Sequence, residues 1–204
     1  MLPYNQRYCV WDFETEGLNL RYSKPWQLAW TIFEGERKIE TQNRFIDIPN
    51  LQLSDVVKRI TKFDKAKYDR LKEPAIDVYK AFEKEINDPR NVFVGQNLIN
   101  YDVFILASMQ KDLGFKLNNA YMDRIIDTRP LGVAFQEKLE KPKGNFLSWQ
   151  YKIINDRSLK SKASQKFLLN LLQIPFDENK LHDADYDSLM CFEIFKNLKK
   201  ALKL

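Results

Sequence analysis

Five side chains could carry chemistry in this chain: Asp12, Glu14, Asp102, Asp187 and His182. Asp12 and Glu14 sit in the run Tyr8-Cys9-Val10-Trp11-Asp12-Phe13-Glu14, whose aromatic and β-branched residues predict a buried central strand. Strand side chains alternate faces, so both carboxylates point the same way. Two carboxylates on one face of a buried strand repel each other and resist desolvation. Hard divalent metals with oxygen ligands neutralise such a pair. Glu16-Gly17 predicts a turn, which places the acids near the strand's C-terminal end, where α/β sheets keep their sites. A surface strand with solvated acids is the plainer alternative. Trp11 and Phe13 on either side of Asp12 argue against it.

Asp102 opens a predicted helix in Gly95-Gln96-Asn97-Leu98-Ile99-Asn100-Tyr101-Asp102. A helix N-terminus would accept the carboxylate as a simple cap. Asn97, Tyr101 and Phe104 surround it with polar and aromatic surface. His182 is the single histidine. A lone histidine before a helix is most often a surface or capping group. Its distance from Asp187 exceeds the three or four positions of a shared helix face, which puts His182 on the entering loop. Asp187 leads the apolar stripe Met190, Cys191 and Ile194, where a carboxylate needs a compensating cation. Four acids with no matched Lys or Arg suit a two-metal phosphodiester site. His182 supplies the base whose pKa lies near operating pH.

The elements that must hold these residues follow from pattern. Strands are predicted at Tyr8–Glu14, Pro25–Phe33 and Lys38–Ile48, the last two a hairpin through Glu34-Gly35-Glu36. Residues 63–73 read as charged and irregular. Helices are predicted from Asp55 and from Pro74 to Asn87, then a strand Asn91–Asn97 and a helix Tyr101–Leu113. A strand Arg124–Thr128 is ended by Arg129-Pro130. Helices follow at Leu131–Leu139, Phe146–Asn155, Ser164–Leu172 and Asp183–Leu202. Three meandering strands, then strands reached through helices, predict an α/β fold: a mixed five-stranded sheet flanked by helices, in one domain over residues 1–204.

Composition bounds the rest. The 204 residues are 44% hydrophobic and 30% charged, which fits a globular protein. No apolar run reaches the ~20 residues of a membrane helix, and no secretory signal is visible. Cys9 and Cys191 read as reduced core residues, so a soluble, cytoplasmic protein without a membrane partner is expected. The formal charge of +5 favours a polyanionic partner.

These motifs resemble the DEDDh, or DnaQ-like, 3′→5′ exonucleases on a ribonuclease-H-like fold. D-x-E-T-x-G-L is matched by Asp12, Glu14, Thr15, Gly17 and Leu18. N-x-x-x-(F/Y)-D is matched by Asn97, Tyr101 and Asp102. H-x-A-x-x-D is matched by His182, Ala184 and Asp187, with Ile126-Asp127-Thr128 between the second and third motifs. Asp183 stands where the related DEDDy enzymes carry Tyr. Glu16 stands where many relatives have Thr, and Gln96 where many have His, which bears on substrate preference.

The resemblance implies that Asp12, Glu14, Asp102 and Asp187 hold two Mg²⁺ or Mn²⁺ ions, with His182 accepting the proton of the attacking water. It implies Thr15, Gly17, Leu18, Asn97 and Tyr101 as substrate contacts. The expected function is stepwise release of nucleoside 5′-monophosphates from the 3′ end of single-stranded or frayed DNA. Alternatives are an RNA-trimming enzyme on the same fold, or a non-catalytic nucleic-acid-binding or polymerase accessory subunit. A polymerase is the candidate protein partner. Lys141, Lys143, Arg157, Lys160, Lys162 and Lys166 could track the strand backbone or be merely solvated. Trp26 and Trp30 are expected in the core.

Overall fold

The computed structural model describes residues 6–181 and 184–204. His182 and Asp183 lie outside the described residues. The strands are β1 (Arg7–Thr15), β2 (Pro25–Glu34), β3 (Arg37–Ile46), β4 (Lys72–Glu73), β5 (Asn91–Gly95) and β6 (Ile125–Asp127). The helices are α1 (Asp55–Thr61), α2 (Lys65–Leu71), α3 (Ala75–Asn87), α4 (Asp102–Asp112), α5 (Thr128–Gln136), α6 (Phe146–Asn155), α7 (Gln165–Leu171) and α8 (Ala184–Leu202). The sheet order is β4-β3-β2-β1-β5-β6. β1, β2 and β3 form the expected antiparallel meander. β5 and β6 join β1 in parallel through helical crossovers.

Alternation along β1 divides the interior. Cys9, Trp11 and Phe13 pack with Val78, Tyr79 and Phe82 of α3 on one face. Tyr8 and Val10 pack with Phe192 and Phe195 of α8 on the other. Asp12 and Glu14 continue the second row, so both are aimed at the α8 side. The β1–β2 register shifts between Glu14 and Thr15. This bulge ends regular pairing where the acids sit.

Two expectations need correction. Residues 63–73 are not irregular: Asp64 accepts the Lys67 N–H at 3.0 Å and caps α2. The next two residues, β4, add a sixth strand parallel to β3. Their charged composition carries no strand alternation, so pattern could not reveal them. Nor is Arg129-Pro130 a break between the strand and the next helix: β6 ends at Asp127 and α5 begins at Thr128, three residues before the expected Leu131. Asp127 caps α5 and Pro130 lies in its first turn, where a missing N–H costs nothing. The other boundaries fall close to expectation. Trp26 and Trp30 are buried, and Cys9 and Cys191 are buried free thiols.

Candidate active site

The C-terminal end of β1 opens on a cleft of about 300 Å³ lined by Asp12, Glu14, Gln96, Gln165, Asp187 and Cys191 among others. β1 supplies the first two acids and α8 supplies Asp187. Asp102 lies beneath, buried at the start of α4. Its Oδ1 accepts the Phe13 backbone N–H at 3.1 Å, so the strand fixes it from below.

The electrostatics bind these acids into one group. Burial, with the Asp187 charge, pushes Asp12 up to about 7. Burial, with the charges of Asp12 and Asp187, pushes Glu14 up to about 8. Burial and the Asp12 charge raise Asp102 well above the carboxylate range, against the opposing Phe13 N–H.

A further carboxylate, Asp127, organises the rim. Asp127 Oδ1 accepts the N–H groups of Asn97 at 2.8 Å and Arg129 at 2.9 Å, and Oδ2 that of Ile99 at 3.0 Å. Burial pushes Asp127 up to about 6 while these donors hold it down. The loop from β5 to α4 is thereby tied to the start of α5. Asn97 turns that loop with φ 67°, a left-handed conformation that asparagine tolerates. Its side-chain Oδ1 accepts from Arg129 Nη1 at 2.6 Å, and it is not among the residues lining the cleft. Tyr101 Oη donates to the Gly17 carbonyl at 2.6 Å and lies 2.5 Å from Thr15 Oγ1. Thr15 Oγ1 also donates to Gly17 O at 2.8 Å. This triangle fixes the loop after β1 and leaves Leu18 88% exposed beside it.

Two further residues at the cleft are amides whose contacts the sequence does not show. Gln165, the first residue of α7, donates to the Asp187 backbone carbonyl at 3.2 Å and to Oδ1 at 3.3 Å. Gln96, a departure from the family pattern, donates to Ala163 O at 2.6 Å and accepts from Thr128 Oγ1 at 2.6 Å. It braces β5 against α5 and the segment before α7. Of the basic candidates, Lys166 lines the cleft and pairs with Glu178 at 2.9 Å.

The donor set suits a hard divalent cation: carboxylate oxygens whose charges raise one another's pKa. Among the described residues, no three His, Cys, Asp or Glu side chains are gathered closely enough to hold an ion as they stand. The fit therefore rests on donor chemistry and repulsion. No described helix is long and apolar enough to cross a membrane.

A family model for exonucleases, RNase_T, matches residues 9–195. A PolC-type DNA polymerase III of Mycoplasma genitalium is 26% identical over 198 residues, covering 96% of this chain and 12% of the polymerase. E. coli exonuclease I in complex with a dA16 oligonucleotide superposes with a TM-score of 0.75 at 13% identity, over 97% of this chain and 42% of that one. The zinc-bound form of an E. coli exonuclease I–single-stranded DNA complex gives 0.72 at 14% identity, over 97% and 42%. The chain thus spans less than half of the solved structures it resembles and about an eighth of the polymerase.

Proposed function

Since the chain belongs to the RNase_T exonuclease family, of DnaQ-like type on a ribonuclease-H-like fold, we propose that it is a metal-dependent 3′→5′ exonuclease. It removes nucleoside 5′-monophosphates from the 3′ end of single-stranded or frayed DNA. One observation carries this reading: Asp12, Glu14 and Asp187 face one cleft, where the Asp187 charge raises Asp12 and the charges of Asp12 and Asp187 raise Glu14.

Asp12, Glu14, Asp102 and Asp187 would hold two Mg²⁺ or Mn²⁺ ions, whose chemistry when bound is to stabilise charge on the attacking and departing oxygens. Asp102 is held to β1 by the Phe13 N–H, so its carboxylate stays fixed relative to Asp12. Gln165 orients the Asp187 carboxylate. His182 accepts the proton of the attacking water. Tyr101 and Thr15 fix the Gly17 loop, and exposed Leu18 meets the terminal base. A strand end must be unpaired to reach this pocket.

DNA as substrate is supported by the likeness to a DNA polymerase segment and by the oligonucleotide complex of exonuclease I. The polymerase likeness also supports a polymerase partner. The single continuous sheet with its flanking helices, among the described residues, supports the expected single domain. Incubation with DNA and RNA single strands of one sequence, in Mg²⁺ and in EDTA, tests the reading. Mononucleotide release from DNA in Mg²⁺ alone is expected. Undiminished hydrolysis in EDTA would overturn it, and faster release from RNA would transfer it to an exoribonuclease.

A further inference from the structure

α1 buries none of its residues. What it places is the residue that caps it. Lys62 follows the helix with φ 52° and returns its backbone N–H to the Lys58 carbonyl. Its side chain reaches a distant part of the chain. Nζ donates to the Asn179 carbonyl at 2.5 Å and to the Leu181 carbonyl at 2.6 Å, across separations of 117 and 119 residues.

Those carbonyls belong to a short strap between α7 and α8. Its core is a 3-10 turn, Glu178–Lys180, capped by Asp177, whose carboxylate accepts the Asn179 N–H at 2.9 Å. The carbonyls at the other end of such a turn have no partner within it. An ammonium group meets them with a charged donor, which makes the stronger kind of hydrogen bond. The strap is held elsewhere too. Tyr186 Oη accepts the Asp177 N–H at 2.7 Å, and Lys166 pairs with Glu178 at 2.9 Å. These contacts fix its beginning and its outer side. Lys62 fixes its end. Leu181 is buried and lines the acidic cleft, and the next residue in sequence is His182.

We propose that Lys62 is a positioning residue for the third motif: by clamping the carbonyls of Asn179 and Leu181 it fixes the backbone from which His182 follows. The proposal rests on reading His182 as the base. It gives the segment between β3 and α3 a part in the reaction without contact with substrate. Misplacement of a reacting group by about 1 Å can cost roughly 100-fold in rate.

The test compares Lys62→Met, Lys62→Arg and Lys65→Met by hydrogen–deuterium exchange and steady-state kinetics on single-stranded DNA. Lys65 is the control, because its pairing with Asp69 is local and exposed. Lys62→Met should speed amide exchange in peptides spanning 177–187 while leaving β1 protected. Its kcat should fall roughly 10- to 100-fold with KM nearly unchanged. Lys62→Arg should restore most of both, and Lys65→Met should change neither. Unchanged exchange at 177–187 in Lys62→Met would overturn the clamp. Faster exchange with wild-type kcat would overturn the positioning role. If wild-type protein hydrolyses no nucleic acid, the functional reading fails, and the exchange comparison alone decides the clamp.

Discussion

The backbone N–H of Phe13 donates to Oδ1 of Asp102 at 3.1 Å, so the strand that carries Asp12 and Glu14 also seats the acid that opens α4. The bond separates the charge of Asp102 from its structural task. Asp102→Asn keeps an acceptor for Phe13 and removes the charge. It should fold, melt no lower than wild type without metal, and lose hydrolysis. Asp102→Ala leaves a buried N–H unsatisfied and should cost about 1–3 kcal/mol of stability. Thermal melts in EDTA beside activity assays check the pair.

Stability should fall as pH rises when metal is removed. Asp12 and Glu14 are raised to about 7 and about 8 in the fold, above their values in the unfolded chain. The folded state therefore binds more protons than the unfolded state between the ordinary carboxylate range and about 8, and loses stability with increasing pH across that window. Melting temperatures in EDTA should drop from about pH 5 to about pH 9. Mg²⁺ should reverse most of the drop by binding only the folded site.

Asp12→Asn tests the same repulsion from the other side. Removing one of the mutually repelling charges should raise the melting temperature in EDTA near pH 8. The variant should also lose most of its thermal response to Mg²⁺. Differential scanning fluorimetry with and without the ion reads both effects.

Tyr101→Phe removes the hydroxyl that joins Gly17 O and Thr15 Oγ1. The loop bearing Leu18 loses a hydrogen bond worth about 0.5–1.5 kcal/mol. KM for single-stranded DNA should rise more than kcat falls, because the metal-site acids are untouched. Initial-rate kinetics over a range of oligonucleotide concentration separates the two.

The site was legible because its chemistry is periodic. Asp12 and Glu14 share a strand face through simple alternation, and Trp11 and Phe13, both buried, mark the strand as interior. The strands around them followed from Gly- and Pro-bounded runs, while their order in the sheet came only with the fold. What alternation could not show was β4, two charged residues held by pairing with β3 alone. Nor could it show Asp127, whose carboxylate spends itself on three backbone N–H groups. The contacts of Gln96 and the place of Gln165 escaped for a related reason. An amide side chain announces nothing until the fold brings its partner, here Ala163 and Asp187, into reach.

The most direct test of the account follows one DNA strand labelled at its 5′ end, beside a circular strand of the same sequence, with wild-type protein and Asp187→Asn in Mg²⁺. The account predicts a ladder shortening from the 3′ end, 5′-mononucleotide product, an intact circle, and no shortening with the variant. Cutting of the circle, or full activity in Asp187→Asn, would contradict it.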